Sequence, residues 1–537
     1  MYIKKSIMKY KIKLSKRFAC HTNSSSSFYF RGHFFINDDL YEGSKAISYL
    51  QNNLNSIPEN GSFLAIVIID DNLKIISDKS GSMIAYYYLD DDYFIVSDKV
   101  KNILKIYHNY KFIDNNLDEF KVAGFVTEND TLIDRIRSVG TGQILTYNKK
   151  NNLLELKNYF EYIPNQFDES NINKLISSHN SIVDRVFYRL KKYCSNKQII
   201  VPLSGGLDSR LIVHELKRNG FSNVICFSYG KNNNKESLIS KKIADKLGFK
   251  WFFVEYSNKI WNEVFKTSDF KNYFFSADNF QALPHIQDFP AVNYLIKNNI
   301  IDNNAIFIPG HTGDFIAGGH ILPIFENKHI NEDQLVDLII QKHFRVNQFK
   351  SIPIKSQEHI KSKIYSSIKK MYDRKINPAF IYDWYDWKER QQKHVLHSLR
   401  VYDYFNYDWY LPLWDSELIH FWREIPLDKK INKKLYKEYL ESIDNYDIFS
   451  NTKQFYKKNK FRLYLEKFHI IRIIITMRRK LISIKNKIKK YLLDYYLHPL
   501  QWYGMFSYHK VLSIYMFQNI YSILAEYYIS TIKENCD

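Results

Sequence analysis

Residues 204–209 read Ser-Gly-Gly-Leu-Asp-Ser, which combines the residue types that a polyphosphate-binding loop requires. The apolar run at 198–203 predicts a buried strand before this motif, and the pattern at 208–219 predicts a helix after it. Ligands of open α/β sheets bind beyond the carboxyl ends of the strands. The motif therefore predicts that ATP binds at this strand end, with Asp208 placed to hold a metal ion.

The glycines and hydroxyls of the motif have separate roles in this prediction. Gly205 and Gly206 allow the backbone to approach phosphate oxygens without an intervening Cβ. Backbone N–H groups at the start of a helix carry partial positive charge, and the hydroxyls of Ser204 and Ser209 add donors. An incidental Gly-Gly turn is the alternative, but it does not account for the whole motif or for its place between strand and helix.

The chain around the motif alternates strands and helices over residues 175–450, which predicts a parallel sheet with right-handed crossovers. Before about residue 165, short apolar runs alternate with turn residues, which predicts a sheet-rich domain. After about residue 455, long helical patterns carry basic and aromatic faces. The predicted strands are 63–69, 73–76, 85–88, 93–96, 198–203, 223–228 and 251–255, and the predicted helices are 41–54, 208–219 and 235–247.

The motif resembles the loop of the N-type ATP pyrophosphatases, and the order of the domains resembles the asparagine synthase family over about residues 28–450. The resemblance implies a parallel-sheet pyrophosphatase domain of the adenine-nucleotide α-hydrolase-like class at 175–450. An Ntn-type glutaminase-like domain at 1–165 would precede it, and a basic helical extension at 455–537 would follow. The strand after the loop helix should end beside the adenine at Ser228 and Tyr229.

A second glycine-rich segment at 310–319 resembles the family's second loop. Asp314 matches the family's second magnesium ligand, although it could instead merely cap a helix, and Phe315 stands where the family usually has Glu. The implied cofactors are ATP and Mg²⁺, with Asp208 and Asp314 as metal ligands. The predicted ATP-binding residues are Leu203, Ser204, Gly205, Gly206, Leu207, Asp208, Ser209, Ser228, Tyr229, Gly310 and Gly313.

The segment 408–415 resembles the family's acyl-site segment Glu-x-Arg-x-Pro-Phe-Leu-Asp, with Asp408 in place of the active-site Glu and Tyr410 in place of Arg. The family's phosphate-binding Lys should follow, and Lys433 and Lys434 are candidates that the sequence does not separate. The predicted catalytic residues are thus Asp408, Lys433 and Lys434. The predicted substrate pocket contains Tyr410 together with His285 and Asp288, which could equally be ordinary polar loop residues.

Residues 60–145 resemble the sheet half of the family's glutaminase domain, but the catalytic residue is absent from its usual place. The family needs Cys directly after the initiator Met, and here that position holds Tyr2. Cys20 is followed by His21 rather than Gly, and only about 40 residues separate it from Gly61. We therefore expect a degenerate domain that is retained for packing or docking.

The formal net charge of +20 on 537 residues is concentrated in one segment. Residues 451–500 hold 14 Lys or Arg against two acidic residues, so a general nucleic-acid surface is not expected. The basic pattern at 461–488 fits either a helix on a membrane surface or an added helical layer. The chain lacks an apolar run long enough to span a bilayer and a secretory signal, and its four cysteines lack metal or disulfide spacing, so we expect a cytoplasmic protein.

The resemblance implies an asparagine-synthase-like ligase that converts ATP to AMP and pyrophosphate while joining nitrogen to a carboxylate. Its partners would be a small carboxylate and a nitrogen donor, which is ammonia or the ammonia of a separate glutaminase. Degenerate family members include amidases of sugar acids in surface-polysaccharide synthesis and cyclising amide synthetases. A non-catalytic ATP-binding or scaffold protein is the alternative, and the oligomeric state, a homodimer included, stays open.

We predict that the purified protein releases no glutamate from glutamine. The phenol of Tyr2, with an ordinary pKa near 10, is a poor nucleophile at neutral pH, and the surroundings of Cys20 lack the family's pattern. The measurement compares glutamate release by the wild type and by Cys20→Ala. Glutamate formation that disappears in Cys20→Ala would show an active glutaminase.

Overall fold

A computed structural model describes residues 9–53, 56–70, 72–164, 171–327, 329–449, 498–507 and 519–534. The strands are β1 (Lys9–Lys13), β2 (Ala19–Thr22), β3 (Ser26–Ile36), β4 (Asp39–Glu42), β5 (Asn60–Ile69), β6 (Asn72–Ser77), β7 (Ala85–Leu89), β8 (Tyr93–Ser97), β9 (Ile136–Val139), β10 (Gln143–Asn148), β11 (Leu153–Asn158), β12 (Ile199–Pro202), β13 (Val224–Gly230), β14 (Lys250–Glu255), β15 (Ile306–Phe307) and β16 (Asp408–Trp409).

The helices lie mainly in the second half of the chain. They are α1 (Gly43–Asn52), α2 (Val100–Leu104), α3 (Asp114–Ala123), α4 (Ile172–Cys194), α5 (Leu207–Arg218), α6 (Lys235–Leu247), α7 (Asn258–Lys266), α8 (Ser268–Ala277), α9 (Phe289–Lys297), α10 (Gly313–Ile316), α11 (Ile324–Asn327), α12 (Glu332–His343), α13 (Ile354–Asp373), α14 (Pro378–Tyr385), α15 (Arg400–Tyr404), α16 (Ser416–Glu424), α17 (Leu427–Lys430), α18 (Lys434–Ser442) and α19 (Ile520–Glu534). A π-helical stretch, Asp386–Val395, continues α14, and short 3₁₀ turns occupy Phe349–Ser351, Leu396–Leu399, Pro412–Trp414, Ile431–Lys433 and Trp502–Met505.

The N-terminal part consists of two sheets, as its alternating apolar runs predict. One sheet has the order β1-β8-β7-β9, and the other has the order β11-β10-β6-β5-β3-β2, with β4 paired to β3. The rings of Phe94 in β8 and Tyr147 in β10 meet with centroids 4.9 Å apart, so aromatic side chains join the sheets. Cys20 is exposed on β2. The sheet-rich part of the predicted fold class is confirmed.

The second part contains a five-stranded parallel sheet with the order β14-β13-β12-β15-β16. Strands β13 and β14 follow one another on one side of β12, and β15 and β16 follow one another on its other side. Chain order therefore reverses between β12 and β15, which opens a crevice at their carboxyl ends. The predicted strands and helices around the motif are confirmed to within two residues at each end, and the parallel-sheet fold class is confirmed with them.

The C-terminal part contributes packed segments to both domains. Trp502 and Tyr503 are buried beside α7, and Tyr528 of α19 meets Phe120 of α3 with ring centroids 5.2 Å apart. The basic pattern at 461–488 lies outside the described residues, as do the predicted boundaries near 165 and 455. No helix in the described ranges has both the length and the apolar character needed to cross a membrane.

A buried arginine of α4 ties the N-terminal hairpin to the second domain. Arg189 has a side chain only 3% exposed, and its guanidinium binds both carboxylate oxygens of Asp415 at 2.9 Å. It also reaches Asp38 between β3 and β4 at 2.6 Å and Glu417 at 2.8 Å. Because Asp415 also caps α16 by accepting the Glu417 N–H, one cation fixes three elements.

We predict that Arg189→Met destabilises the protein by about 3–5 kcal/mol, because it leaves the buried Asp415 carboxylate without its cation. Arg185→Met is the matched control one turn earlier on α4. Among the described residues, Arg185 pairs with Glu417 alone, and its side chain is 46% exposed, so its loss should cost less than about 1 kcal/mol. Urea unfolding of both variants measures the difference, and equal midpoints for the two variants would contradict a structural role for Arg189.

Candidate active site at the strand reversal

Two glycine-rich loops meet at the crevice between β12 and β15. The loop 204–209 follows β12, and the loop 310–314 follows β15. The backbone N–H of Asp314 donates to the Asp208 carboxylate at 2.7 Å. The structure therefore brings the two predicted metal ligands together at the topological switch point, where parallel sheets bind their ligands.

Glycine is required in the second loop because the two loops almost touch. A Cβ on Gly310 would lie 2.6 Å from the Ser209 nitrogen, and a Cβ on Gly313 would lie 2.7 Å from Cγ of Asp208. Gly205 differs, because a Cβ there would have its nearest protein atom at 3.6 Å. Protein packing thus explains the glycines of the second loop, whereas Gly205 leaves backbone open toward a ligand.

The first loop is held in shape by its own hydroxyls and by an arginine. The Ser204 and Ser209 hydroxyls lie 3.1 Å apart, and the Gly206 N–H donates to the Ser204 hydroxyl at 3.1 Å. The guanidinium of Arg210 donates to the Gly205 carbonyl at 2.7 Å and to the Ile448 carbonyl at 3.0 Å. The loop is therefore pre-shaped, and no sequence signal identified Arg210 as its brace.

Thr312, between the two key glycines, has a left-handed backbone. Its φ is +81°, a costly conformation for a β-branched residue. Its hydroxyl is buried and has no hydrogen-bond partner among the described residues. Backbone strain and an unpartnered polar atom at one loop are typical of a site completed by a ligand.

The carboxylate of Asp208 is harder to ionise here than in water. Removal from water and the negative charge of Asp314 raise the pKa of Asp208 to about 6. Three groups act in the opposite direction: the Asp314 N–H, the Lys433 ammonium and the Tyr436 hydroxyl, which donates to Asp208 at 3.1 Å. A site that concentrates negative charge in this way suits a divalent cation.

The carboxylate pair fits magnesium bound together with a nucleotide. Mg²⁺ is usually held by one or two carboxylates, while phosphates and water complete its coordination. Among the described residues, no group of three or more His, Cys, Asp or Glu side chains is arranged to hold a metal by itself. The geometry therefore fits Mg²⁺ that arrives with ATP rather than a resident protein-only metal site.

The structure separates the two candidate lysines. Lys433 forms an ion pair with the Asp314 carboxylate, whereas the side chain of Lys434 is exposed. Asn432 and Lys433 both have φ of +58°, so a strained turn presents Lys433 to the loop. Of the two lysines, Lys433 is therefore the candidate phosphate-binding residue.

A cavity of about 430 Å³ opens beside the first loop. Of the predicted ATP-binding residues, its lining contains Leu203, Ser204, Ser228 and Tyr229. The Ser228 hydroxyl donates to the Leu203 carbonyl at 2.7 Å and lies 2.6 Å from the Ser240 hydroxyl, so it holds β13 against α6. Only the backbone of Ser228 is thus left to contact a ligand.

One wall of this cavity was missed by the sequence interpretation. His498, Pro499 and Leu500 line it, and the Lys231 N–H donates to the Pro499 carbonyl at 2.6 Å. Trp261 fixes the same segment through a 2.7 Å bond from its indole N–H to the Leu500 carbonyl. Nothing in the spacing of these residues relates them to the loop 204–209, which lies about 290 positions earlier.

Asp408 does not lie at the loops, and its predicted catalytic role is corrected. Strand β16 runs parallel to β15, and Asp408 pairs with Ile306 at the start of both strands. It therefore lies at the amino ends of the strands, whereas the loops follow their carboxyl ends. Its carboxylate binds Arg17 at 2.5 Å and lies 3.8 Å from Lys197, so it serves the contact with the N-terminal part.

Tyr410 is also placed differently from the prediction. Its buried ring stacks on His33 with centroids 5.0 Å apart and lies 5.0 Å from Tyr193. It packs against the N-terminal sheet and does not line a pocket with His285 or Asp288. The same segment instead meets the second loop through Leu413, whose Cδ1 would lie 2.8 Å from a Cβ on Gly313.

The cavity of about 430 Å³ beside the first loop is called the nucleotide cavity below, after its predicted ligand. His285 and Asp288 lie between it and a second cavity. Asp288 is buried and accepts hydrogen bonds from the hydroxyls of Tyr229 and Tyr402. His285 is half-buried and lines the second cavity. The charge of Asp288 acts on His311 of the second loop, although burial still lowers the His311 pKa to about 4. The prediction that both residues form a substrate pocket remains a prediction.

We predict that Gly310→Ala lowers ATP affinity at least about tenfold, because its Cβ forces the backbone of the first loop away from β15. Gly220→Ala is the control. Its Cβ meets no atom within 4 Å, although its φ of +73° imposes the strain of an L residue in the left-handed region. Equilibrium binding of a fluorescent ATP analogue measures both, and equal affinity of Gly310→Ala and wild type would exclude the loop contact as a requirement.

Known solved structures give remote matches to this chain. They include an NH₃-dependent NAD synthetase from Campylobacter jejuni subsp. jejuni (14% identity, 43% of this chain and 96% of that chain, TM-score 0.22). An NMN synthetase from Francisella tularensis gives 11% identity, 42% and 97% coverage, and a TM-score of 0.22. A glutamine phosphoribosylpyrophosphate amidotransferase from B. subtilis gives 8% identity, covers 55% of this chain and 63% of that chain, and has a TM-score of 0.15. TM-scores this low do not bear on the activity of this chain.

The family comparison is more informative. No curated protein sequence gives a significant match. The family model for asparagine synthase, however, matches residues 192–457, which span both glycine-rich loops, the segment 408–415 and Lys433. Residues 192–457 therefore form an asparagine synthase domain.

Proposed function

We propose that the chain is an ATP-dependent amide ligase that activates a carboxylate as its adenylate. The observation that carries the proposal is the contact of Asp208 with Asp314 at the strand reversal, beside a cavity of about 430 Å³. The asparagine synthase domain over residues 192–457 supports an ATP-using, amide-forming enzyme in general.

The first step joins the substrate carboxylate to the α-phosphorus of ATP. A carboxylate oxygen forms the new bond to phosphorus while the bond from the α-phosphorus to the bridging oxygen of the β-phosphate breaks. The electron pair leaves with pyrophosphate. In the second step the nitrogen of ammonia or an amine attacks the acyl carbon, AMP leaves, and one proton is released.

The residues of the two loops serve this step by binding and orientation. The N–H group of Gly205 and the start of α5 would face the phosphates, while the Gly206 N–H holds the loop through the Ser204 hydroxyl. Lys433, held by Asp314, is placed to neutralise phosphate charge. Mg²⁺, when bound with ATP, would screen the phosphate oxygens through Asp208 and Asp314. Fixing both reactants in one crevice would supply much of the rate.

A narrower form of the proposal concerns the acyl substrate. Amidation of a sugar acid in surface-polysaccharide synthesis and formation of a cyclic amide are both compatible with adenylation at the two loops. Aspartate amidation is disfavoured, because the segment 408–415 carries Tyr410 in place of Arg and packs both Asp408 and Tyr410 toward the N-terminal part.

A non-catalytic nucleotide-binding protein is the second candidate. The displacement of Asp408 from the loops favours it, because the carboxylate that the family resemblance assigns to the acyl centre serves a contact between domains. The retained pair of acidic residues favours the enzyme. The two candidates differ in a measurable way, since only the enzyme exchanges pyrophosphate into ATP.

We predict carboxylate-dependent exchange of labelled pyrophosphate into ATP in a screen of amino acids and sugar acids. Asp208→Asn should lower the exchange rate at least about 100-fold, because metal-held charge stabilisation contributes several kcal/mol. Asp245→Asn is the control, since Asp245 is 56% exposed and pairs only with Lys241. Exchange by Asp208→Asn at the wild-type rate would refute the site. ATP binding without exchange for any acid would establish the second candidate.

A further inference from the structure

A second cavity of about 240 Å³ lies where the N-terminal part, the asparagine synthase domain and the C-terminal segment meet. Its apolar wall comes from Phe125, Leu283 and Val346, among others. Its polar wall contains three basic side chains, three imidazoles and two further polar groups: Lys342, Arg345, Arg390, His285, His343, His394, Asn519 and Tyr521. The lining contains positively charged side chains and no carboxylate. We call this cavity the cationic cavity.

Two of its three cations have no counterion within the described ranges. Lys342 forms an ion pair with buried Asp386, which also contacts His320 at 3.0 Å. For Arg345 and Arg390, by contrast, no carboxylate of the described residues lies within ion-pair distance. Arg345 is exposed at the rim, and Arg390 is half-buried. The cavity thus presents about two uncompensated positive charges.

The imidazoles add hydrogen-bonding groups that have no partner. His343 is 3% exposed, and neither of its ring nitrogens has a hydrogen-bond partner among the described residues. Nδ1 of His285 is likewise buried without one. Burial lowers the pKa of His343 to about 3, so the ring is neutral and offers one donor and one acceptor. These ring nitrogens can therefore form hydrogen bonds with a ligand or with ordered water in the cavity.

We propose that the cationic cavity binds the dianionic end of the acyl substrate, which is a phosphate ester or a pair of carboxylates separate from the reacting carboxylate. Arg345 and Arg390 match that charge, and guanidinium groups bind both oxyanions in a bidentate manner. A zwitterionic amino acid is disfavoured, because its ammonium group would face two arginines and no carboxylate.

The position of the cavity relates it to the adenylation site, and this part of the inference rests on the proposed function. Gln287 lines the nucleotide cavity, Tyr521 lines the cationic cavity, and the Gln287 amide donates to the Tyr521 hydroxyl at 2.8 Å. A single hydrogen-bonded pair therefore separates the two cavities at this point. A substrate anchored at Arg345 and Arg390 would extend its reacting carboxylate past His285 toward the loops.

The first experiment measures anion binding without any reaction. Calorimetry is run with the full chain, Mg²⁺ and the non-cleavable analogue α,β-methylene-ATP, which occupies the nucleotide cavity. The probes are inorganic phosphate, tricarballylate and acetate. Phosphate or tricarballylate should bind at least about tenfold more tightly than acetate, and Arg390→Met and Arg345→Met should each lower that affinity at least about tenfold.

Arg374→Met is the matched control, because Arg374 is an exposed arginine beyond the end of α13 and does not line the cavity. The affinity of Arg374→Met for phosphate and for tricarballylate should equal that of the wild type. Equal binding by all variants, or no preference for the two polyanions over acetate, would overturn the inference. Binding of phosphate alone identifies a phosphate ester, and binding of tricarballylate alone identifies a polycarboxylate.

The second experiment measures pyrophosphate exchange with matched acids. Glucuronate is compared with glucuronate 1-phosphate, and succinate is compared with tricarballylate. The more highly charged acid of at least one pair should have a KM at least about tenfold lower than its partner. Arg390→Met should remove that advantage, whereas Arg374→Met should retain it. Exchange with the same KM for both acids of each pair would overturn the anion-site inference but would still support the proposed ligase. Polyanion binding without exchange for any acid overturns the ligase but keeps the cavity as an anion site.

Discussion

The contact between the loops after β12 and β15 is the constraint on which the rest of the site depends. Chain order reverses between these strands, so two segments about 100 residues apart in the sequence reach the same crevice. Their backbones approach so closely that a Cβ at Gly310 or Gly313 would overlap the first loop. This proximity places two carboxylates side by side, which is costly without a cation and favourable with one. The strained turns at Thr312 and Asn432–Lys433 are tolerated because the same contacts hold them.

The N-terminal part supports the second glycine-rich segment from outside, because the ring of Tyr162 packs on Phe315 with centroids 5.2 Å apart. Arg189 links the β3–β4 hairpin to Asp415. Arg17 forms an ion pair with Asp408 at the amino ends of β15 and β16. The segment 408–415 is thereby drawn into the contact between the two parts of the chain, and its Leu413 reaches the second loop. A segment that the family resemblance assigns to acyl chemistry is thus used here for domain contact. That change fits a different acyl substrate, and the cationic cavity is the proposed binding site of its anionic end.

The sequence was sufficient for features that depend on local pattern. Strands β12, β13 and β14 and helices α5 and α6 follow from apolar runs and turn residues, and the parallel sheet follows from their alternation. The pairing of Asp208 with Asp314 was expected from the family resemblance of the two glycine-rich segments and not from the strand pattern, because β15, the strand before Asp314, was not predicted. The position of Asp408 was not predictable, because two-residue strands such as β15 and β16 have no periodicity and their register depends on Arg17 and Lys197. The wall at His498–Leu500 and the grouping of Arg345 with Arg390 depend on tertiary packing and leave no sequence signal.

The central claim is that the two loops form one site for ATP and its metal. A crystal structure of the full chain with α,β-methylene-ATP and Mn²⁺, recorded at the manganese absorption edge, tests it most directly. The account predicts phosphate density against the N–H groups of residues 204–209, adenine in the cavity beside Tyr229, and an anomalous peak within about 2.5 Å of carboxylate oxygens of both Asp208 and Asp314. An anomalous peak away from both aspartates, or nucleotide bound outside the crevice, would contradict it.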